Sequence, residues 1–395
     1  MDRKIYMDHA ATTGVCDEVL EAMMPYFREK SGNPSSLHTF GREARAAVDK
    51  ARSQAAVAIN ALPEEIFFTS GGTESDNLAI KGVAEASRHK GNHIITTAIE
   101  HPAVLNTCKY MKKNGYDVTF LPVDEHGLVT HEQVMAAVTD KTVLISVMFA
   151  NNEIGTIEPI AQIGALARER GIPVHTDAVQ AAGVVPIDVE AMHIDLLSVS
   201  AHKMYGPKGT GMLYIKKGVP MSAQMQGGSH ESRRRAGTEN VPGIVGFGQA
   251  IETAVAGMET NARRITALRD RLIAGIEKRI PNVRLNGHRT KRLPGNVNFS
   301  IEFLEGESLI LMLDMRGIAA STGSACAAGS LDPSHVLMAI GLPHEIAHGS
   351  LRLTLGRCNT QEDVDYVIDQ VEAVAERLRE MSPLFMQRKE DAKHV

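Results

Sequence analysis

The sequence predicts an α/β protein in two parts. Residues 31–257 form a large domain with a mostly parallel sheet covered by helices, and residues 1–30 with 258–395 form a smaller α+β domain. Three observations carry this expectation. From about residue 66 to 257, short β-branched runs alternate with helix-length segments, the pattern of parallel strands joined by helical crossovers. Residues with useful chemistry (Thr73, His101, Asn152, Asp177, Lys203) recur just past the predicted strand ends, where open α/β sheets bind ligands. Past about residue 258 the alternation gives way to short strands mixed with long charged helices.

The elements follow in order. Residues 1–30 read as a short strand, a turn at DHAATT and a helix through Val19, Leu20, Met23 and Met24. SGNPSSLHTFG is a loop, since Gly, Asn, Pro and Ser favour turns. The alanine-rich GREARAAVDKARSQAAVAI has strong helix propensity. Ile66–Thr69 is a strand, followed by a Ser-Gly-Gly turn and a helix opening near Thr73. Free N–H groups at such a helix start make a phosphate cradle, although an ordinary helix capped by Thr73 with Asp76 fits the same residues. HIITTAIEHPAV gives a strand and a turn carrying Glu100-His101-Pro102. YDVTFLPVD and TVLISVMFANNEIG are further strands, and 159–170 and 245–257 are helices. NARRITALRDRLIAGIEKRI is an amphipathic helix, followed by strands at VRLNG and GNVNFSIEF and a helix at GESLILMLDMRGI. STGSACAAGSLDPSH is a loop of small residues, and a strand (LRLTLGR) and a long helix (TQEDVDYVIDQVEAVAERLRE) close the pattern.

At 395 residues the chain is long enough for a large core and a second one. A net charge of -5 offers no basic footprint, which speaks against nucleic acid as a partner. No apolar run approaches the roughly 20 residues of a membrane span, and MDRKIYMDH lacks the apolar core of a signal peptide. The cysteines, Cys16, Cys108, Cys326 and Cys358, are scattered without paired spacing. That argues against a disulfide framework or a zinc site and favours a reducing cytoplasm.

The chemistry concentrates between His175 and Gly211. Asp177 ends one β-branched run, and Lys203 follows a second, with Ser200 and His202 beside it and glycines after it. A lysine desolvated behind a buried strand can act as an amine nucleophile, and the spacing suits a pyridoxal phosphate site. Lys203 would then form the Schiff base, and Asp177 would hold the pyridinium nitrogen protonated. At an effective dielectric of about 20, such a pair about 4 Å apart is worth on the order of 4 kcal/mol. The alternative for Lys203 alone is a surface lysine at a strand end, and for His101 and Asn152 a structural histidine and a turn former.

The ordered motifs DHAATT, GNPSSLH, FTSGGTESDN, EHPAV, ANNEIG, HTDAVQ, SAHKMYGPKG, RRRAGTEN, GSAC and RLTLGR resemble the NifS/IscS-type cysteine desulfurases over nearly the whole chain. The resemblance implies a fold-type I pyridoxal phosphate homodimer. Its reaction would convert L-cysteine to L-alanine and hold the sulfur as an enzyme persulfide, for an iron–sulfur scaffold protein or another acceptor. Carried across, Lys203 binds the cofactor covalently, Asp177 pairs with its ring nitrogen, His101 stacks on the ring, Gln180 contacts its phenolic oxygen and Asn152 lies beside it. Gly72, Thr73, Ser200 and His202 hold the phosphate, with Thr238 supplied by the neighbouring subunit. Arg352 clamps the substrate carboxylate, a task suited to a guanidinium fork. Cys326 is the nucleophile and, through its persulfide, a transient iron–sulfur ligand. One departure is His230, where the family leads us to expect glutamine. The Cys326 loop has the longer form of the iron–sulfur branch.

A free thiol is only a few per cent thiolate at neutral pH, and no basic residue flanks Cys326 closely. Its activation is therefore assigned to His101 or to the substrate. Cys358, beside Arg357, is the rival nucleophile; its place at a strand end predicts burial. Two other readings stay open. An aminotransferase or β-lyase would not need Cys326, and a non-catalytic partner would use it to ligate an iron–sulfur cluster.

Overall fold

The computed structural model describes residues 3–323, 333–382 and 385. Its strands are β1 (Ile5–Tyr6), β2 (Ile66–Thr69), β3 (His93–Thr97), β4 (Asp117–Leu121), β5 (Thr142–Ser146), β6 (Val174–Asp177), β7 (Leu196–Ser200), β8 (Gly211–Ile215), β9 (Val283–Leu285), β10 (Asn296–Ile301), β11 (Ile318–Ala319) and β12 (Ser350–Thr354).

Seven strands make one sheet in the order β2-β8-β7-β6-β5-β3-β4. Only β8 runs against its neighbours. β2, β3, β6, β7 and β8 are buried at every position, as apolar runs covered on both faces must be. One cover is a close helix pair. In Thr39–Ala58, Ala44, Val48, Ala51 and Ala55 face Val241–Ala256, and a Cβ on Gly248 would come within 2.7 Å of Ala51 Cα. Alanine and glycine are there because the backbones approach that closely.

A second sheet, β12-β10-β9, is antiparallel and is backed by the helices Met258–Arg279 and Gln361–Glu380. Their apolar stripes (Leu272, Ile276, Val367, Val371, Val374) meet Val297, Phe299 and Leu353 in a separate core. Ile5 and Met7 join this core, and β1 pairs with β11; Val19 and Met23 instead belong to the core of the large sheet. Residues 7–13 therefore run between the two. No described helix is long and apolar enough to cross a membrane.

Candidate active site

The ends of β3, β5, β6 and β7 open onto one cavity of about 800 Å³. Gly72, Thr73, His101, Asn152, Asp177, Gln180, Ser200, His202, Lys203 and Arg352 all line it. Two expected residues are not in that set. Thr238 is exposed and away from the cavity lining, and Cys326 lies outside the described residues, although Gly323 and His335 on either side of it in the sequence both line the cavity.

Lys203 ends a short 3-10 turn, Ala201–Lys203, directly after β7. Its Nζ donates to the carbonyls of Ala10 and Ala11, each at 2.6 Å. The DHAATT turn thus covers the lysine, which the sequence did not reveal. The same turn is fastened by Thr13, which bonds the His202 carbonyl, by Thr12 to His202 Nδ1 at 3.0 Å, and by Gln180 Nε2 to the Ala10 carbonyl at 3.0 Å. Burial beside two lysines drives the His202 ring down to about 4, so it stands neutral.

Asp177 ends β6, buried, and its Oδ1 accepts the Val179 N–H at 2.9 Å. Burial holds its proton affinity above that of an ordinary aspartate, while His101, the Val179 N–H and Lys203 act the other way. His101 caps the helix Pro102–Lys113: its Nδ1 accepts the Ala103 N–H at 3.2 Å. Burial keeps this ring neutral, so its one proton belongs on Nε2.

The helix Gly72–Ala86 starts without a side-chain cap. This corrects the capped-helix alternative: the residue before it is Gly71, and Asp76 is turned inward and wholly buried. The free N–H groups of its first turn belong to residues beside a second opening of about 390 Å³, which shares Gly72, Thr73, Ser200 and His202 with the first and is also lined by Lys208. Close packing keeps it bare, since a Cβ on Gly72 would sit 2.6 Å from Val179 Cγ2. Glu74, in the first turn, is paired with Arg235 at 2.8 Å, three residues before Thr238. In that segment His230 lies 3.9 Å from Glu239, and Glu231 pairs with Arg52.

Arg352, on β12, is 2% exposed. Its Nη2 pairs with Asp8 at 2.9 Å, its Nη1 donates to the carbonyls of Asn152 and Gly323, and its Nε has no hydrogen-bond partner among the described residues. Beside it, the buried Glu153 accepts the Ser334 hydroxyl, and burial raises its proton affinity above that of an ordinary glutamate. His335 Nε2 meets the Glu100 carbonyl at 3.0 Å. Asp8, Glu153, Ser334 and His335 were all missed by sequence reasoning. Cys358 is exposed, not buried as expected, because β12 stops at Thr354 and the chain has already turned. Cys108 is buried inside a helix, where burial pushes its thiol up to about 12. Among the described residues, no group of three or more His, Cys, Asp or Glu is placed to hold a metal ion.

The aminotransferase class-V family profile matches residues 5–367. The chain is 58% identical to the cysteine desulfurase IscS of Clostridium botulinum (strain Hall), over 99% of this chain and all of that one. It is 57% identical to the cysteine desulfurase IscS of Methanosarcina thermophila, covering 97% of this chain and 95% of the other. Among solved structures it resembles a NifS-like protein, with a TM-score of 0.89 at 40% identity over 95% of this chain and 100% of that chain.

Proposed function

The chain belongs to the aminotransferase class-V family, within its cysteine desulfurases, and from that premise we propose how its residues divide the reaction. The reaction converts L-cysteine to L-alanine and leaves the sulfur on an enzyme cysteine as a persulfide, which supplies iron–sulfur cluster assembly. One C–S bond is broken, one S–S bond is formed, and the thiol hydrogen ends on the alanine methyl group.

The cavity fits pyridoxal phosphate on its own chemistry. A buried carboxylate, Asp177, faces an amine, Lys203, and a neutral ring, His101, while an uncapped helix start with Ser200 and His202 beside it awaits an anion. Bound there, the cofactor supplies an electron sink for charge developing on the amino acid. Lys203 anchors it and moves a proton at Nζ. Asp177 carries the charge that suits a protonated ring nitrogen. His101 covers the ring with a transferable proton on Nε2, and Gln180 bonds the phenolic oxygen. Gly72, Thr73, Ser200 and His202 hold the phosphate. Arg352, with Asn152 beside it, takes the carboxylate of L-cysteine, and Cys326 takes the sulfur.

The observation that carries this reading is that Lys203, Asp177, His101, the bare helix start and Arg352 meet in one cavity. The test is Cys326→Ser. It should bind the cofactor and L-cysteine with a wild-type spectrum yet release no alanine, since a hydroxyl is a poor nucleophile toward sulfur. Wild-type protein given cysteine without reductant should gain one sulfur on Cys326, read by peptide mass spectrometry. Sulfur on Cys358, or wild-type alanine production by Cys326→Ser, would make a β-lyase the better account.

The proposal includes a homodimer in the cytoplasm that hands sulfur to a scaffold protein or another acceptor. Leu37 and Phe40 stand 90% and 61% exposed, which suits burial against a second copy, and Thr238 is exposed and does not line its own cavity. Mixing Thr238→Ala with Lys203→Ala subunits should restore activity in hybrids that carry both defects in one site. Full cofactor binding by a monomeric sample would count against it.

A further inference from the structure

Behind Asp177 lies a second acid that the reaction, as divided above, does not use. Asp76 sits on the helix Gly72–Ala86, which packs over β6 and β7, and its side chain is wholly buried in the floor of the same cavity. Among the described residues neither of its oxygens meets a donor in good hydrogen-bond geometry, the Ser198 hydroxyl being near enough only to favour its charge in part.

The basic group beside it is His175, with Nε2 3.6 Å from Asp76 Oδ1. His175 stands two residues before Asp177 on β6, hence on the same face. Both of its nitrogens are already engaged: Nδ1 with the Ser146 hydroxyl at 2.9 Å and Nε2 with the Ser198 hydroxyl at 3.0 Å. Complete burial drives this ring down to about 3, so it brings no positive charge to Asp76. An unpaired carboxylate in such surroundings is costly, and Asp177 adds like-charge repulsion.

The two acids of this wall are therefore unequal. Asp177 accepts a backbone N–H and feels His101 and Lys203, whereas Asp76 has no such support. We propose that Asp76 is held as a neutral carboxylic acid, a positioning residue whose bound proton leaves Asp177 as the single negative charge on the wall beneath the cofactor ring. His175, Ser146 and Ser198 complete an uncharged polar layer under that charge. The inference rests on the reading of Asp177 given above.

The test is infrared spectroscopy of the holoenzyme with its aspartate side-chain carboxyls labelled with carbon-13. A protonated-carboxyl stretch should be present from pH 6 to 8 and vanish in Asp76→Asn. Asparagine carries the same charge as a neutral acid, so the visible titration of the bound cofactor in that variant should stay within about 0.3 pH units of wild type. Absence of the band, its survival in Asp76→Asn, or a midpoint moved by about one pH unit or more would overturn the proposal. Should Asp76→Asn not fold, persistence of the band in Asp177→Asn supports a proton on Asp76, and its loss there places the proton on Asp177 and overturns the idea. Asp177→Asn with an unaltered cofactor spectrum would instead sink the reading of Asp177, whatever the band shows.

Discussion

The wall of the cavity that holds Asp177 and Lys203 is made of adjoining strand ends, while the wall that holds Arg352 is made of bonds between distant parts of the chain. In the first wall, β6 and β7 lie side by side, and the residues after β3 and β5 fall next to them by the order of the sheet. In the second, Asp8 reaches Arg352 across 344 residues, and Ser334 reaches Glu153 across 181. Backbone pairing fixes the first wall. In the second, pairing of β12 with β10 places Arg352, but its guanidinium and the groups around it are set by individual polar contacts, so substitutions there should change affinity or stability before they change the chemistry.

The largest effect belongs to the strand-end wall. Lys203→Ala should lose covalent cofactor attachment and cut turnover by at least about 10²–10⁴-fold, with far-UV circular dichroism unchanged. Peptide mapping after borohydride reduction checks the assignment; a pyridoxyl group on Lys208 would break it. On the other wall, Arg352→Gln should raise KM for L-cysteine about 10–100-fold, the range for charge-assisted hydrogen bonds, and leave the cofactor spectrum as it is. A fall in kcat at unchanged KM would erase the distinction between the walls.

A third effect, on stability and not on turnover, lies where the walls meet. Glu100 takes the Thr97 hydroxyl and the Met148 N–H on its side chain, while its carbonyl meets His335. Burial raises its acid from the usual 4.5 to about 8. Below about 4.5 both the folded and the unfolded chain keep this proton. Above that only the unfolded chain releases it, so the group's contribution to stability falls as pH rises toward 8, by up to about 1.4 kcal/mol per pH unit. Glu100→Gln should therefore gain on wild type between pH 5.5 and 8 in urea unfolding. A difference independent of pH would mean that Glu100 is charged throughout.

The same contrast explains what could be read from the sequence. Short β-branched runs and a glycine turn located the strand ends, so Thr73, His101, Asn152, Asp177 and Lys203, with Ser200 and His202 beside the lysine, could be placed near one another from the sequence. The family resemblance added Gly72, Gln180 and Arg352. Nothing local marks Asp8, Glu153 or His335, because each finds its partner far along the chain. Asp76 looked like part of a cap, but only the packing of its helix on β6 and β7 turns it inward. The exposure of Cys358 depends on where β12 stops, and a run such as LRLTLGR does not specify its own end.

The strap formed by residues 7–13 also has a consequence for biosynthesis. These residues leave the ribosome well before the partners they bond, Lys203, Ala319 and Thr354. The lysine can be covered as soon as the sheet has been made, but the arginine cannot pair with Asp8, nor the strap reach Ala319 and Thr354, until most of the polypeptide has emerged. A growing chain would therefore carry a folded sheet that still lacks the arginine meant for the substrate carboxylate. Mature reactivity waits on the last strand, which keeps a producer of reactive sulfur silent while it is still being made.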